Sequence, residues 1–279
     1  MPDAPPTQYL EVPGGRIAYD VSGPPHAPAV VLIHQAIADR RVWDRQLPAL
    51  APKYRVVRYD LRGFGGSTPA EKEFSYVEDL GSLVGHLKLD RPLLVGASMG
   101  GRVALDFAVA HPQAVRGLLL LAPGFSGMDY PMFPDAGPAF EADDRISKAA
   151  QEAYAAGKVD EAIEHLRGLW AAALTGADLE LFRKMVRENA EEAFRDRSGQ
   201  HERPVQPKAA SRLASLNVPL LVLVGDRDNP AMPHVARYLT RQVPGARLQS
   251  IPGADHLLNL GAPREVDRAI EEMLARAAR

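Results

Sequence analysis

Apolar residues along this chain fall into short runs separated by stretches with helical spacing. The runs predict strands, and they occupy residues 9–12, 16–21, 29–33, 55–59, 93–97, 117–122, 219–224 and 246–251. Between most of them, apolar residues recur as on an amphipathic helix, at residues 42–50, 76–89, 102–110, 233–242 and from 264 onward. Strands that alternate with helices predict an α/β fold, with a mostly parallel eight-stranded sheet and helices on both faces.

The alternation stops between residues 125 and 216. A loop rich in proline, glycine, methionine and aromatic residues comes first, and alanine-rich amphipathic helices follow it without a clear buried strand. We therefore predict a core domain formed by residues 1–124 and 217–279, with a helical cap inserted at 125–216.

The apolar run at 93–97 ends in the sequence Gly-Ala-Ser-Met-Gly-Gly, whose serine is Ser98. A serine on a sharp turn between a buried strand and a helix is typical of a nucleophile elbow. The flanking glycines lack a Cβ, so that strand and helix can approach each other. A serine that only caps the helix would share this spacing, but the flanking pattern favours the elbow. The Met99 N–H, at the start of the helix, is then a candidate oxyanion donor.

Composition narrows the classes of function. The 279 residues are 46% hydrophobic, which is enough for one large α/β domain with an insertion. A net charge of -2 gives no reason to expect nucleic acid or an anionic membrane as a partner. The absence of cysteine excludes disulfides and thiol catalysis. The N-terminus lacks signal-peptide features and no apolar run is long enough to span a membrane, so we expect a cytoplasmic protein.

Two polar motifs follow the last two strands of the chain. Asp226 and Asp228 lie in the first of these loops, and His256 lies in the second. A serine hydroxyl needs a histidine to accept its proton and a carboxylate to orient that histidine. Chemistry in open parallel sheets collects at the carboxyl ends of the strands. We therefore expect His256 and one of the two aspartates to meet Ser98 there, in the chain order typical of hydrolases with a nucleophile elbow.

Five motifs together resemble the α/β-hydrolase fold superfamily. They are His34 after the third strand, residues 60–67 (DLRGFGGS) after the fourth, 96–101 (GASMGG), 225–228 (GDRD) and 256–260 (HLLNL). In that family the acid is usually the fourth residue of a Gly-x-x-Asp loop, which implies Asp228 rather than Asp226. The implied catalytic triad is Ser98, Asp228 and His256.

The resemblance also implies the remaining parts of the oxyanion hole. By the spacing of the family, the Ala36 N–H is the second donor beside that of Met99. The family commonly has a glycine after the histidine of the third strand, whereas this chain has Gln35. The Gln35 side chain either alters the turn or reaches the pocket, and we treat it as a candidate substrate contact.

Other residues have structural interpretations. We expect His34 to be hydrogen bonded rather than catalytic, and Asp60 and Arg62 to form ion pairs in their turn. The histidines show no metal-ligand spacing and residues 63–66 lack the spacing of a dinucleotide motif, so we expect neither metal nor nucleotide. Four residues of the cap are candidates to line an apolar substrate pocket, or else to pack the cap: Met128, Tyr130, Met132 and Phe133.

Together these features predict a cofactor-independent serine hydrolase that cleaves a small, largely apolar carboxylic ester or lactone. The same triad could instead serve a C–C bond hydrolase, a metal-free haloperoxidase or a lyase. A ligand receptor with vestigial turnover is an alternative from another class. We expect a small-molecule substrate, no nucleic-acid or membrane partner, and a monomer or homodimer.

Overall fold

The computed structural model describes residues 5–69, 72–195, 201–203 and 205–276. Eight strands form one sheet: β1 Gln8–Val12, β2 Gly15–Ser22, β3 Ala29–Ile33, β4 Arg55–Tyr59, β5 Leu93–Ala97, β6 Gly117–Leu121, β7 Leu220–Gly225 and β8 Arg247–Ile251. Their spatial order is β1-β2-β4-β3-β5-β6-β7-β8. The β1–β2 and β2–β4 pairs are antiparallel and the other neighbours are parallel. The predicted fold class, an eight-stranded and mostly parallel sheet, is confirmed.

The α-helices are α1 Leu47–Leu50, α2 Tyr76–His86, α3 Met99–Ala110, α4 Gly137–Ala155, α5 Val159–Trp170, α6 Gly176–Glu188, α7 Ala190–Ala193, α8 Met232–Gln242, α9 Leu258–Gly261 and α10 Pro263–Arg276. Short 3-10 turns occupy Arg40–Trp43, Pro112–Ala114, Tyr130–Met132, Pro134–Ala136, Ala209–Ser211 and Leu213–Ser215. Within the described ranges, no helix has the length and hydrophobicity needed to cross a bilayer.

The centre of the sheet is the core of the protein. Every residue of β3, β5, β6 and β7 is buried. Side chains alternate between the two faces of a strand, so complete burial requires that both faces be covered. Helix α3 packs on β3, β5 and β6, α10 packs on β5 and β6, and α8 packs on β7 and β8. The edge strand β8 is mostly exposed, and its exposed residues are the apolar Leu248 and the polar Gln249 and Ser250.

The prediction of one continuous helix at residues 42–50 is wrong. The chain instead forms a 3-10 turn at Arg40–Trp43 and the single-turn helix α1. Pro48 cannot donate a backbone hydrogen bond and is accommodated only in the first turn of a helix. The proline therefore starts α1 after the turn instead of lying inside one longer helix.

We call residues 125–216 the inserted segment; its described part between β6 and β7 carries α4 to α7. The two ends of this segment are hydrogen bonded to each other. The Ala210 N–H donates to the Ser126 carbonyl oxygen at 3.0 Å, and the Ala209 N–H donates to Ser126 Oγ at 2.8 Å. Ser126 Oγ in turn donates to Asp106 on α3. Both ends of the segment are thus fastened to the helix that follows Ser98.

Candidate active site

Ser98 lies in a strained conformation between β5 and α3. Its φ of 49° and ψ of -111° are unusual for a residue with a side chain. The surrounding backbone holds it there: the Ser98 N–H donates to Leu121 O at 2.9 Å, and the Ser98 carbonyl accepts from Arg102 N at 3.1 Å. Met99 occupies the first position of α3. The predicted strand–turn–helix geometry at the serine is therefore present.

The glycines of this turn are required by close backbone approaches. A Cβ on Gly96 would lie 2.3 Å from the Gly100 carbonyl oxygen. A Cβ on Gly100 would lie 2.3 Å from Ile33 O and 2.6 Å from His34 O. The start of α3 thus packs directly on the backbone at the end of β3. This contact sets the position of the turn after β3 relative to Ser98.

His34 fixes that turn from the other side. Its Nε2 accepts from the Leu61 N–H at 2.9 Å and its Nδ1 lies 2.8 Å from the Gln35 carbonyl oxygen, so we assign the proton to Nδ1. Burial lowers the pKa of His34, which keeps the ring neutral. His34 therefore ties the turn after β3 to the turn after β4, as its structural interpretation expects.

Gln35 and Ala36 follow in this turn. The Gln35 side chain is buried, and within the described residues neither its Nε2 nor its Oε1 has a hydrogen-bond partner. The Ala36 N–H also makes no hydrogen bond to the described part of the chain. Buried polar groups are normally paired, so this turn carries hydrogen-bonding capacity that the fold itself does not use.

Asp228 and His256 meet because the loops that carry them cross closely. A Cβ on Gly225 would lie 2.1 Å from the Ala254 carbonyl oxygen, and the Arg227 N–H donates to that oxygen at 3.0 Å. His256 Nδ1 then lies 3.0 Å from Asp228 Oδ1 and 3.3 Å from Oδ2. Both side chains are buried. We therefore assign a proton to Nδ1, which donates to Asp228, and this assignment leaves Nε2 as the acceptor nitrogen of the ring.

Asp226, the other candidate for the catalytic acid, makes different contacts. Asp226 Oδ1 accepts from the Gly253 N–H at 2.7 Å and so joins the two loops through the backbone. Asp226 is exposed, whereas Asp228 Oδ1 also accepts from the Asn229 N–H at 2.7 Å. The structure thus brings Asp228, and not Asp226, to the imidazole.

Ser98 lies at the same edge of the sheet as this pair, because β5, β7 and β8 are parallel and all three loops leave their carboxyl ends. Within the described part of the chain, Ser98 Oγ forms no hydrogen bond within ordinary distance and angle limits.

Two residues of this region escaped the sequence analysis because their roles depend on how the inserted segment docks. The ring of Trp170, the last residue of α5, lies 4.3 Å from that of His256 between centroids, at an interplanar angle of 42°. Asp255 Oδ2 accepts from the Ala173 N–H at 2.8 Å. The available signal was slight: Trp170 is one of two tryptophans in the chain, and Asp255 precedes His256.

A cavity of about 220 Å³ lies behind the Asp228 loop, between α4, the end of α5 and the core. Its lining includes Asp143 of α4 together with Asp228, Asn229 and Asp255. Burial, with smaller contributions from neighbouring carboxylates, raises the pKa of Asp143 to about 6. The buried Asn229 side chain lies beside Asp143, and its interaction with that carboxyl opposes the rise in pKa. Three carboxyl groups, those of Asp228, Asp255 and Asp143, therefore interact electrostatically with His256.

The four predicted pocket residues of the inserted segment lie mainly in an aromatic cluster. Tyr130 stacks on Phe140 at 4.4 Å, and Phe133 contacts Tyr238 of α8 edge-on at 5.3 Å. Met132 and Phe133 line a cleft of about 370 Å³ beside α8, and Met128 packs against the core. Their role as substrate contacts stays a prediction. Among the described residues, no cluster of three or more His, Asp or Glu side chains is spaced to hold a metal ion.

Comparison with known proteins agrees with this geometry. The α/β hydrolase fold family matches residues 28–263. A hydrolase from Pseudomonas aeruginosa PA01 superposes with a TM-score of 0.76 at 27% identity, covering 98% of this chain and 99% of that one. A thermophilic esterase from Thermogutta terrifontis gives the same TM-score, identity and coverage.

A Bacillus subtilis (strain 168) protein provisionally named 2-succinyl-6-hydroxy-2,4-cyclohexadiene-1-carboxylate synthase is 25% identical over 282 residues, covering 94% of this chain and 95% of that one. The family match spans most of the chain and includes the loops of Ser98 and Asp228 and the loop of His256. The chain therefore belongs to the α/β hydrolase fold family.

Proposed function

We propose that this protein is a cofactor-independent serine hydrolase for small, largely apolar carboxylic esters or lactones. The observation that carries the proposal is the hydrogen bond between buried Asp228 and His256, at the sheet edge where Ser98 lies on a strained turn. An acid–histidine pair beside an elbow serine is the arrangement that activates a hydroxyl for acyl transfer. The structural likeness to an esterase supports a hydrolase of this class.

In the proposed reaction, Ser98 Oγ attacks the carbonyl carbon while His256 Nε2 takes the hydroxyl proton. Asp228 keeps the other ring proton on Nδ1 and stabilises the imidazolium that forms. The carbonyl oxygen becomes an oxyanion, which accepts hydrogen bonds from the amides of Ala36 and Met99. The imidazolium returns its proton to the leaving alkoxide, which leaves an acyl-serine. Water then repeats the sequence and releases the acid.

We further propose that the inserted segment acts as a cap over this site. Its helix α5 ends against His256, and the segment after it is hydrogen bonded to the neighbouring Asp255. A cover at this position would exclude water from the acyl-enzyme except for the attacking molecule.

The proposal is tested with a panel of short-chain aryl esters, lactones and vinylogous diketones. We expect turnover of an ester or lactone, loss of several powers of ten in kcat for Ser98→Ala, and labelling of Ser98 alone by a fluorophosphonate probe. Wild-type ester turnover in Ser98→Ala, or labelling of another residue, contradicts the proposal. Turnover of the diketones alone assigns the triad to carbon–carbon bond cleavage.

A matched pair of aspartates tests the choice of acid. Asp228→Asn keeps the size of the side chain but places an amide against Nδ1, which favours the wrong tautomer, and we expect kcat to fall by about 10⁴-fold. Asp226→Asn is the control in the neighbouring loop. Its amide oxygen can still accept from the Gly253 N–H, so kcat should stay near the wild-type value. Equal losses in both variants would refute the assignment.

A further inference from the structure

The segment that follows α5 docks on the loop carrying His256 through two separate contacts. The indole ring of Trp170 lies 4.3 Å from the imidazole ring. Three residues later, the Ala173 N–H donates to Asp255 Oδ2 at 2.8 Å. The two contacts engage consecutive residues of the core loop, Asp255 and His256, from one short stretch of the inserted segment.

Asp255 is placed as a bridge between the two parts of the chain. Its Oδ2 accepts from Ala173 in the inserted segment, while its Oδ1 accepts from the Leu257 N–H at 3.1 Å within its own loop. The residue is buried, so water does not readily replace either hydrogen bond. Its carboxylate thus holds the backbone on the far side of His256 and anchors the inserted segment with the same group.

The imidazole of His256 is constrained at two points. Asp228 holds Nδ1 at 3.0 Å, which resists rotation of the ring about its long axis. Trp170 covers one face and resists displacement of the ring toward the inserted segment. An indole face also favours a cation over a neutral group, and proton transfer from Ser98 creates the cation here. Neither contact is a hydrogen bond to Nε2.

We propose that Trp170 and Asp255 are positioning residues which make docking of the inserted segment and orientation of His256 a single event. When the inserted segment is docked, the imidazole ring of His256 is held in place and its Nε2 is oriented for proton transfer. When it is undocked, the ring keeps only its bond to Asp228. This deepens the function proposed above and in part rests on it, so one arm of the test must be independent of turnover.

That arm uses the fluorescence of Trp170. The chain has two tryptophans, and the other, Trp43, is fully buried in the core, so the difference between wild type and Trp170→Phe isolates the Trp170 emission. A protonated imidazole quenches an indole in contact with it. We expect Trp170 emission to fall as His256 is protonated, and this response to be absent in His256→Gln. Three carboxyls in the described chain face His256: Asp228, Asp255 and Asp143.

The decisive variant is Asp255→Ala, with Asp255→Leu, which also cannot accept a hydrogen bond but fills more of the buried space, if the first folds poorly. Loss of the Ala173 hydrogen bond should release the segment and reduce the pH-dependent quenching. An unchanged response in a folded Asp255 variant, or no response in the wild type, overturns the proposal whether or not the protein hydrolyses esters.

The kinetic arm separates positioning from simple stability. We expect Trp170→Leu and Asp255→Ala to lower kcat by about 10- to 100-fold with little change in KM, because a ring that is misplaced by a fraction of an ångström transfers its proton poorly. Tyr154→Leu is the control: it removes an aromatic residue of the inserted segment that stacks on Phe194, away from His256. Wild-type kcat in the folded Trp170 and Asp255 variants refutes the positioning role.

Discussion

Gly100→Ala should displace the turn after β3, which carries the proposed oxyanion donor Ala36, without changing Ser98, Asp228 or His256. The added Cβ would lie 2.3 Å from Ile33 O and 2.6 Å from His34 O. Ordinary carbon–oxygen contacts are about 3.3 Å or longer, so the start of α3 and the end of β3 must separate by about 1 Å. The turn carrying Ala36 follows His34 directly, and it must shift relative to the Met99 amide.

The expected loss follows from this displacement. Misplacing a reacting group by about 1 Å costs roughly 10²-fold in rate, and removing one oxyanion donor costs about 10²- to 10³-fold. We therefore expect Gly100→Ala to lower kcat by at least about 100-fold while KM changes little, since the oxyanion forms only in the transition state. Overpacking should also lower the free energy of unfolding by about 1–3 kcal/mol.

The assay compares kcat and KM on a short-chain aryl ester, together with urea unfolding. Gly85→Ala is the matched control, because Gly85 also lies in a helix but no heavy atom comes within 4 Å of its added Cβ. That change should leave kcat unaltered and raise stability by up to about 1 kcal/mol. If Gly100→Ala retained both wild-type kcat and wild-type stability, the steric reasoning would be refuted.

Two further predictions concern buried carboxylates. Burial raises the pKa of Asp106 from 3.8 to about 6, so the folded state binds this proton more tightly than the unfolded state and stability is lost as pH rises from about 4 to 6, by at most about 3 kcal/mol for this group. In Asp106→Asn, the amide oxygen still accepts from Ser126 and does not titrate. The free energy of unfolding of this variant, relative to that of the wild type, should therefore increase as pH rises from about 4 to 6. A difference between the two proteins that does not change with pH in urea titrations would exclude the effect. Arg62 donates to Asp79 through Nε at 3.0 Å and through a second guanidinium nitrogen at 2.8 Å, with both side chains buried. Asp79→Asn leaves that charge without a counter-ion and should cost about 3–5 kcal/mol, whereas the apolar pair Arg62→Met with Asp79→Leu should recover most of it; equal unfolding midpoints in Asp79→Asn and wild type would contradict this.

The sheet and the elbow are readable from sequence because both depend on local pattern. Complete burial of a parallel strand leaves an uninterrupted apolar run, as at β5, and the strained serine needs small neighbours at fixed offsets. Gly225 could have been singled out on the same ground, since its Cβ would clash with the loop that precedes His256. Sequence motifs therefore carry information where two backbones must touch.

The position at which the inserted segment docks on the core could not be predicted from such local sequence patterns. Trp170 and His256 are far apart along the chain, and the contact depends on where α5 ends relative to the core. An amphipathic pattern predicts which face of a helix is buried, but it does not predict which part of the protein that face packs against. The lack of a hydrogen-bond partner for the Gln35 amide, among the residues that the structure describes, could not be predicted either, because the sequence does not show which side-chain hydrogen bonds are formed.

The fastening of Ser126 to Ala209 and Ala210 has an evolutionary consequence. The two ends of the inserted segment are held together by one pair of hydrogen bonds. The positions at which the segment leaves and rejoins the core therefore do not depend on the residues between them. The entropy of closing such a loop grows only slowly with its length. The intervening helices can therefore be exchanged as a unit, while the sheet whose loops carry Ser98, Asp228 and His256 is inherited unchanged.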